Sequence, residues 1–167
     1  MINIVLGPSC IGKSYFIEKI IKGSHTYIEN TLVGDIWIED IWSKNVCIHL
    51  DHLENFLHKH LDPHGNLLLP PLIKKISDLK IPKSVIILGV SYSEYIDRVK
   101  KRRHRSRKFA FERGYTHIHR PKDYDHLLHL YRWWISELNK NEIPYMLVEA
   151  IKDYKVLKEE DFFNMIR

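Results

Sequence analysis

Cysteine is almost missing from this chain: Cys10 and Cys47 are the only two among 167 residues. Two cysteines do not make a disulfide framework, and their scarcity points to a reducing, cytoplasmic setting. No apolar stretch approaches the roughly 18 residues of a membrane span, so no membrane partner is expected. The start shows no basic leader followed by a cleavable apolar segment, so no secretion signal is read there. Internal repeats, low-complexity tracts and linkers are missing too, which makes residues 1–167 a single expected domain. A chain of this length can build a core without covalent staples. The eleven histidines include the close pairs His49/His52, His58/His60, His117/His119 and His126/His129. None of these pairs carries the cysteine or acid spacing of a familiar zinc site, and surface or half-buried histidines are the plainer reading.

Acids are absent from one segment. RVKKRRHRSRK, Arg98 to Lys108, holds eight lysines and arginines, and removing these from the chain's 26 leaves 18 bases against 21 acids. The net charge of +5 therefore belongs to one place, which points to a local anionic partner.

What the sequence does contain is alternation of apolar runs with helical periodicity. INIVL (Ile2 to Leu6) reads as a buried strand, and Phe16, Ile17, Ile20 and Ile21 then recur at helical spacing up to Gly23. HTYIE (His25 to Glu29) is a candidate second strand, and a helix is favoured from Asp35. NVCIHLD (Asn45 to Asp51) is a further strand ending in a carboxylate. A helix is expected from His52 to Leu61, a turn at DPHGN, and a short helix opened by Pro70 and Pro71. SVIILGV (Ser84 to Val90) is the clearest buried strand, of the kind a parallel sheet covers on both faces. SYSE (Ser91 to Glu94) has capping-box spacing, so a helix should run from it into the basic segment. Tyr124, Leu127, Leu128, Tyr131, Trp134, Ile135 and Leu138 mark one face of a long helix, with Trp133 beside them as further core. YMLVE forms a last strand and EEDFFNMIR a closing helix. Strands alternating with helices argue for an α/β fold with a mainly parallel sheet.

Between the first strand and the first helix stands GPSCIGKS, Gly7 to Ser14. It matches G-x-x-x-x-G-K-[ST], a pattern that average composition produces by chance in about 0.5% of chains this long. Glycines let the backbone curl so that successive N–H groups point inward, and those donors with the positive end of the next helix bind phosphates. Gly7, Pro8, Ser9, Cys10, Ile11, Gly12, Lys13 and Ser14 are thus candidate nucleotide-binding residues. Lys13 can reach the β- and γ-phosphates, and the Ser14 hydroxyl can ligate Mg²⁺.

Such a site needs an acid near the end of a neighbouring strand, to hold the metal or take a proton. Asp51, which ends NVCIHLD, is the first candidate for both roles; Glu29 is the second for the proton. Asp51 also suits a helix N-cap before HLENFL. Arg98, Arg102 and Arg105, with Arg103 and Arg107, are candidates for cations around a moving phosphoryl group, carried on a helical lid over about residues 98–122. The same cluster suits a solvated helix face or a nucleic-acid contact. Trp37 and Trp42 suit either stacking on a base or core packing.

The chain resembles the P-loop nucleoside and nucleotide kinases, particularly the thymidylate kinase and deoxynucleoside kinase group. GPSCIGKS, IHLDHL, VIILGVSYSEYIDRVKKRRHR and YDHLLHLYRWWI carry the likeness, which spans about residues 1–149. It implies a three-layer P-loop NTPase fold, ATP as donor, Mg²⁺ as metal, and a hydroxyl or phosphate of a nucleotide-like acceptor. Its site roles fall on Gly7, Gly12, Lys13, Ser14, Asp51, Arg98 and Arg102. Two positions depart from the group: His52 follows the strand-end acid where arginine is usual, and Glu29 is followed by Asn30 rather than proline. Polynucleotide kinases, and kinases of a modified base within DNA, share the same core and are the alternative acceptor class. A non-catalytic nucleotide switch would need the loop but no arginine lid.

Overall fold

The computed structural model describes residues 2–8, 10–21, 24–28, 46–50, 60–61, 67–69, 77–78, 83–101 and 123–167. The fold is mixed α/β. Ile2–Leu6 form β1, Ser24–Ile28 β2, Val46–Leu50 β3, Lys83–Gly89 β6 and Tyr145–Glu149 β7; all but the more polar β2 stand where the sequence has an apolar run. With Val156–Leu157 as β8 they make a six-stranded sheet in the order β2-β3-β1-β6-β7-β8. All neighbours are parallel except β8, which pairs antiparallel with β7 at the edge. Neither β8 nor the small hairpin of β4 (His60–Leu61) and β5 (Leu67–Leu69) is marked by periodicity, because each strand is only two or three residues long.

That hairpin corrects one expectation. The helix anticipated from His52 to Leu61 does not reach its predicted end: His60 pairs with Leu69 and Leu61 with Leu67. Ladder bonding across DPHGN takes the residues that helical spacing had claimed. Gly23, Trp37, Trp42, the helix from Asp35 and the one opened by Pro70 and Pro71 lie outside the described residues.

The strand ends are level. Leu6 pairs with Leu50 on one side and Ile87 on the other, and Ile28 pairs with Leu50. The segments leaving β1, β3 and β2 at their C-terminal ends therefore start side by side, the place where open α/β sheets bind ligands. Residues 85–90 are buried throughout, as a strand covered on both faces requires.

After the loop that follows β1, Lys13–Tyr15 form α1, which continues as π-helical turns over Phe16–Ile21. Phe16 and Ile17 are buried but Ile20 is exposed. Residues 92–101 form α2. Its N-cap is Ser91, whose Oγ accepts from the Glu94 N–H at 3.3 Å, half of the expected capping box. The other half is not made, because the Glu94 carboxylate turns to Arg98 instead.

Tyr124–Lys140 form α3, capped by the Asp123 side chain, which accepts from the His126 N–H at 2.8 Å. Leu127, Leu130, Tyr131, Trp134, Ile135 and Leu138 are its buried positions, so Leu130 takes the place expected for Leu128. Trp133 is half-buried against the same core. Glu159–Ile166 form α4, whose Phe162 stands edge-on to Tyr131 with ring centroids 5.2 Å apart. Among the described residues no helix is long and apolar enough to cross a membrane.

The Tyr131 hydroxyl donates to the Leu88 carbonyl at 2.8 Å and so ties α3 to the end of β6. Burial, with a smaller push from Tyr95 and an opposing pull from Arg98, holds its pKa well above the ordinary 10.0. The folded protein therefore keeps Tyr131 neutral at a pH where the unfolded chain ionises it. This stabilisation is complete below pH 10.0 and declines as pH rises above that value. Tyr131→Phe is expected to cost about 1 kcal/mol near neutral pH and to flatten the alkaline decline. Denaturant unfolding at about pH 7 and about pH 11 measures both; an unchanged alkaline slope would contradict the assignment.

Candidate functional site

β1 ends at Leu6 and the chain turns at once. A Cβ on Gly7 would stand 2.7 Å from the Ile11 Cγ2 and 3.2 Å from the Leu88 carbonyl oxygen, so only glycine fits between β6 and the returning loop. The turn closes through the Ile11 N–H donating to the Pro8 carbonyl at 3.2 Å, and Ile11 is buried as the anchor of the loop. Cys10 and Gly12 have φ of 77° and 101°, on either side of Ile11. Alternating handedness of this kind makes successive N–H groups converge, which is how a backbone builds an anion nest. Gly12 is the N-cap of α1, and the Phe16 N–H donates to its carbonyl at 3.0 Å.

Lys13 is the only buried charged residue among those described, at 3% exposure. Its ammonium folds back over the loop and donates to the carbonyls of Gly7 at 2.7 Å and Pro8 at 3.0 Å. A buried ammonium is tolerated only with such partners. Ser14 follows, half-buried in the first turn of α1. The structure thus brings Gly7, Pro8, Cys10, Ile11, Gly12, Lys13 and Ser14 into one curled turn on a helix start. Ser9 lies outside the described residues.

Arg98 comes to the same place from α2. Its Nη1 donates to the Ile11 carbonyl at 2.8 Å, its Nη2 to the Ala150 carbonyl at 2.8 Å, and its Nε to the Glu94 carboxylate at 2.7 Å. Ala150 begins the turn after β7, and the Ala150 N–H donates to the Gly89 carbonyl at 2.7 Å. Sequence reasoning placed Arg98 beside a phosphoryl group; in the structure its guanidinium lies against the loop backbone.

Asp51, Glu29, Arg102 and Arg105 lie outside the described residues. β3 ends at Leu50 and β2 at Ile28, the residues immediately before Asp51 and Glu29 in sequence.

Sequence reasoning missed an aromatic contact on the α1 side. Tyr154, with φ of 45°, stacks on Tyr15 at 6.4 Å and 13° and meets Phe16 at 5.1 Å. Burial raises the Tyr154 pKa, opposed by Arg98 and assisted by Tyr15. The position of Tyr15 directly after Gly-Lys-Ser was a usable signal; Tyr154, in an irregular turn, offered none.

The alternating handedness of the turn, the buried ammonium and the helix start are a combination suited to a polyphosphate. Of the residues expected to hold a metal, Ser14 stands half-buried in the first turn of α1, and Asp51 lies outside the described residues.

No family model matches the sequence, and no curated protein matches it. Among solved structures, the chain is similar to one from the PezAT chromosomal toxin–antitoxin system of the human pathogen Streptococcus pneumoniae. The identity is 10%, the TM-score is 0.55, and the match covers 96% of this chain and 72% of that one. At that identity the likeness is one of fold alone.

Proposed function

We propose that the chain is an ATP-dependent phosphotransferase, a single three-layer P-loop kinase domain whose acceptor is a nucleoside, a nucleotide or a related nucleic-acid group. One observation carries the reading: the turn from Gly7 to Ser14 curls around a buried Lys13 whose ammonium is held by the Gly7 and Pro8 carbonyls. The triphosphate of ATP takes the inward N–H groups, and Lys13 exchanges carbonyl oxygens for phosphate oxygens, a charge-assisted bond stronger than the one it leaves. Ser14 and Asp51, the residue that follows β3 in sequence, would hold Mg²⁺, which would supply charge neutralisation at the phosphates.

The acceptor hydroxyl gives its proton to Asp51 or to Glu29. Its oxygen bonds to the γ-phosphorus as the bond from that phosphorus to the β,γ-bridging oxygen breaks, and ADP leaves. Arg102 and Arg105, in a lid over about residues 98–122, would stabilise the charge on the transferring group and exclude water.

The free nucleoside or nucleotide is the favoured acceptor. The polynucleotide alternative draws on the eight cations of residues 98–108. Incubation with γ-labelled ATP and two pools, small nucleosides and nucleotides in one and DNA or RNA in the other, separates them. Label is expected in the small-molecule pool, with acceptor binding only mildly sensitive to salt. Label in the polymer pool, with a log K against log salt slope of about −3.5 for five single-strand phosphate contacts, would replace that acceptor by the alternative. Slow ATP hydrolysis with no label on either pool would mean a nucleotide switch and no kinase.

A further inference from the structure

We infer that Arg98 is a positioning residue, which sets the phosphate loop in its binding shape through the Ile11 carbonyl rather than by touching the phosphates. The inference rests on the nucleotide-binding reading above and assigns Arg98 a different task from the phosphoryl contact its sequence position suggests.

Three sides of the guanidinium are engaged, each by a different element. The Ile11 carbonyl belongs to the phosphate loop, the Ala150 carbonyl to the turn after β7, and the Glu94 carboxylate to the preceding turn of α2. The first two partners lie 87 and 52 residues away in sequence, so the side chain joins elements that no local interaction connects. Glu94 holds the plane from behind as an i,i+4 ion pair. Gly12 leaves room for the guanidinium, since a Cβ there would stand 3.6 Å from Nη1. The guanidinium therefore holds the Ile11–Gly12 peptide by its carbonyl oxygen.

The consequence follows from peptide geometry. In a trans peptide the C=O and the next N–H point in opposite directions. Every described peptide bond here is trans. Holding the Ile11 oxygen toward α2 therefore aims the Gly12 N–H away from α2, on the side opposite Arg98. Gly12 has φ of 101°, a conformation glycine reaches with neighbours of the opposite hand, and without an anchor this peptide unit is free to flip. Arg98 fixes which of its two ends faces the ligand before any ligand arrives. A planar fork reaches two carbonyls on different elements while its Nε keeps the Glu94 carboxylate, three partners in one fixed plane; an ammonium is a point charge on a flexible stem that does not hold that plane.

The test compares the parent chain with Arg98→Lys and Arg98→Ala, using ADP as the probe so that no γ-phosphate contact contributes. Amide hydrogen exchange of residues 10–14 is measured without nucleotide, and ADP affinity is measured by calorimetry. Both variants are expected to exchange these amides faster than the parent. Both should bind ADP about 10-fold more weakly, with lysine giving no useful rescue. If Arg98→Lys binds ADP like the parent while Arg98→Ala does not, charge alone matters and the inference is overturned. Exchange at the parental rate in Arg98→Lys overturns it as well. Should Arg98→Ala not fold, Arg98→Lys decides by the same two readings. A parent chain that fails to bind ADP sinks the nucleotide reading, and the exchange measurement then still tests whether Arg98 sets the loop.

Discussion

Lys13→Ala is expected to lower phosphoryl transfer by about 10²–10³-fold or more, the usual loss when one preorganised donor to a developing charge is removed. Stability should change by no more than about 1 kcal/mol, because two opposing effects nearly cancel. The substitution removes two hydrogen bonds, to the Gly7 and Pro8 carbonyls, and also removes the desolvation cost of an ammonium at 3% exposure. The Pro8 carbonyl keeps the Ile11 N–H as a donor. Transfer of labelled phosphate alongside urea unfolding separates the two effects. A variant that transfers at the parental rate would show that the ammonium has no part in the reaction.

The two loop glycines should respond differently to alanine, for different physical reasons. At Gly7 the obstacle is space. The new methyl meets Ile11 Cγ2 at 2.7 Å, and Ile11 is a β-branched side chain fixed in the core, while the Leu88 carbonyl behind it is main chain. Overpacking of this kind costs about 1–3 kcal/mol. Relief requires the loop to move away from β6, so ADP affinity should fall together with stability, by about 100-fold. At Gly12 there is room, since the nearest atom is Arg98 Nη1 at 3.6 Å, but φ is 101°. An L-residue there costs about 1–2 kcal/mol of backbone strain without a clash. A double variant decides between them: Ile11→Ala should recover part of the loss in Gly7→Ala and none of the loss in Gly12→Ala. Equal behaviour of the two backgrounds in calorimetry and unfolding would contradict the steric account of Gly7.

Much of the sheet was legible because its strands are continuous apolar runs. INIVL, VCIHL, KSVIILG and YMLVE need no partner information to be read as buried. The turn from Gly7 to Ser14 was legible for a different reason: glycines, a lysine and a serine at fixed spacing form a pattern that backbone geometry ties to a strand-to-helix turn. What escaped was pairing over short distances. β8 and the β4–β5 hairpin have strands of two or three residues, too short for a period to show. The partner of Arg98 escaped as well, because Ile11 and Ala150 present main-chain carbonyls, and a carbonyl carries no sequence signature. Leu130 in place of Leu128 is a smaller case. Both fit helical spacing, and only the packing of α3 shows that the buried stripe runs through Leu127, Leu130, Tyr131 and Trp134.

The most direct measurement is a crystal structure of the protein with magnesium and a non-hydrolysable ATP analogue. The β-phosphate is expected within hydrogen-bond distance of the main-chain N–H groups between Cys10 and Ser14, with the Lys13 ammonium drawn off the Gly7 and Pro8 carbonyls onto phosphate oxygen. A triphosphate bound elsewhere, or a turn that stays empty with Lys13 still on its two carbonyls at saturating analogue, would contradict the account.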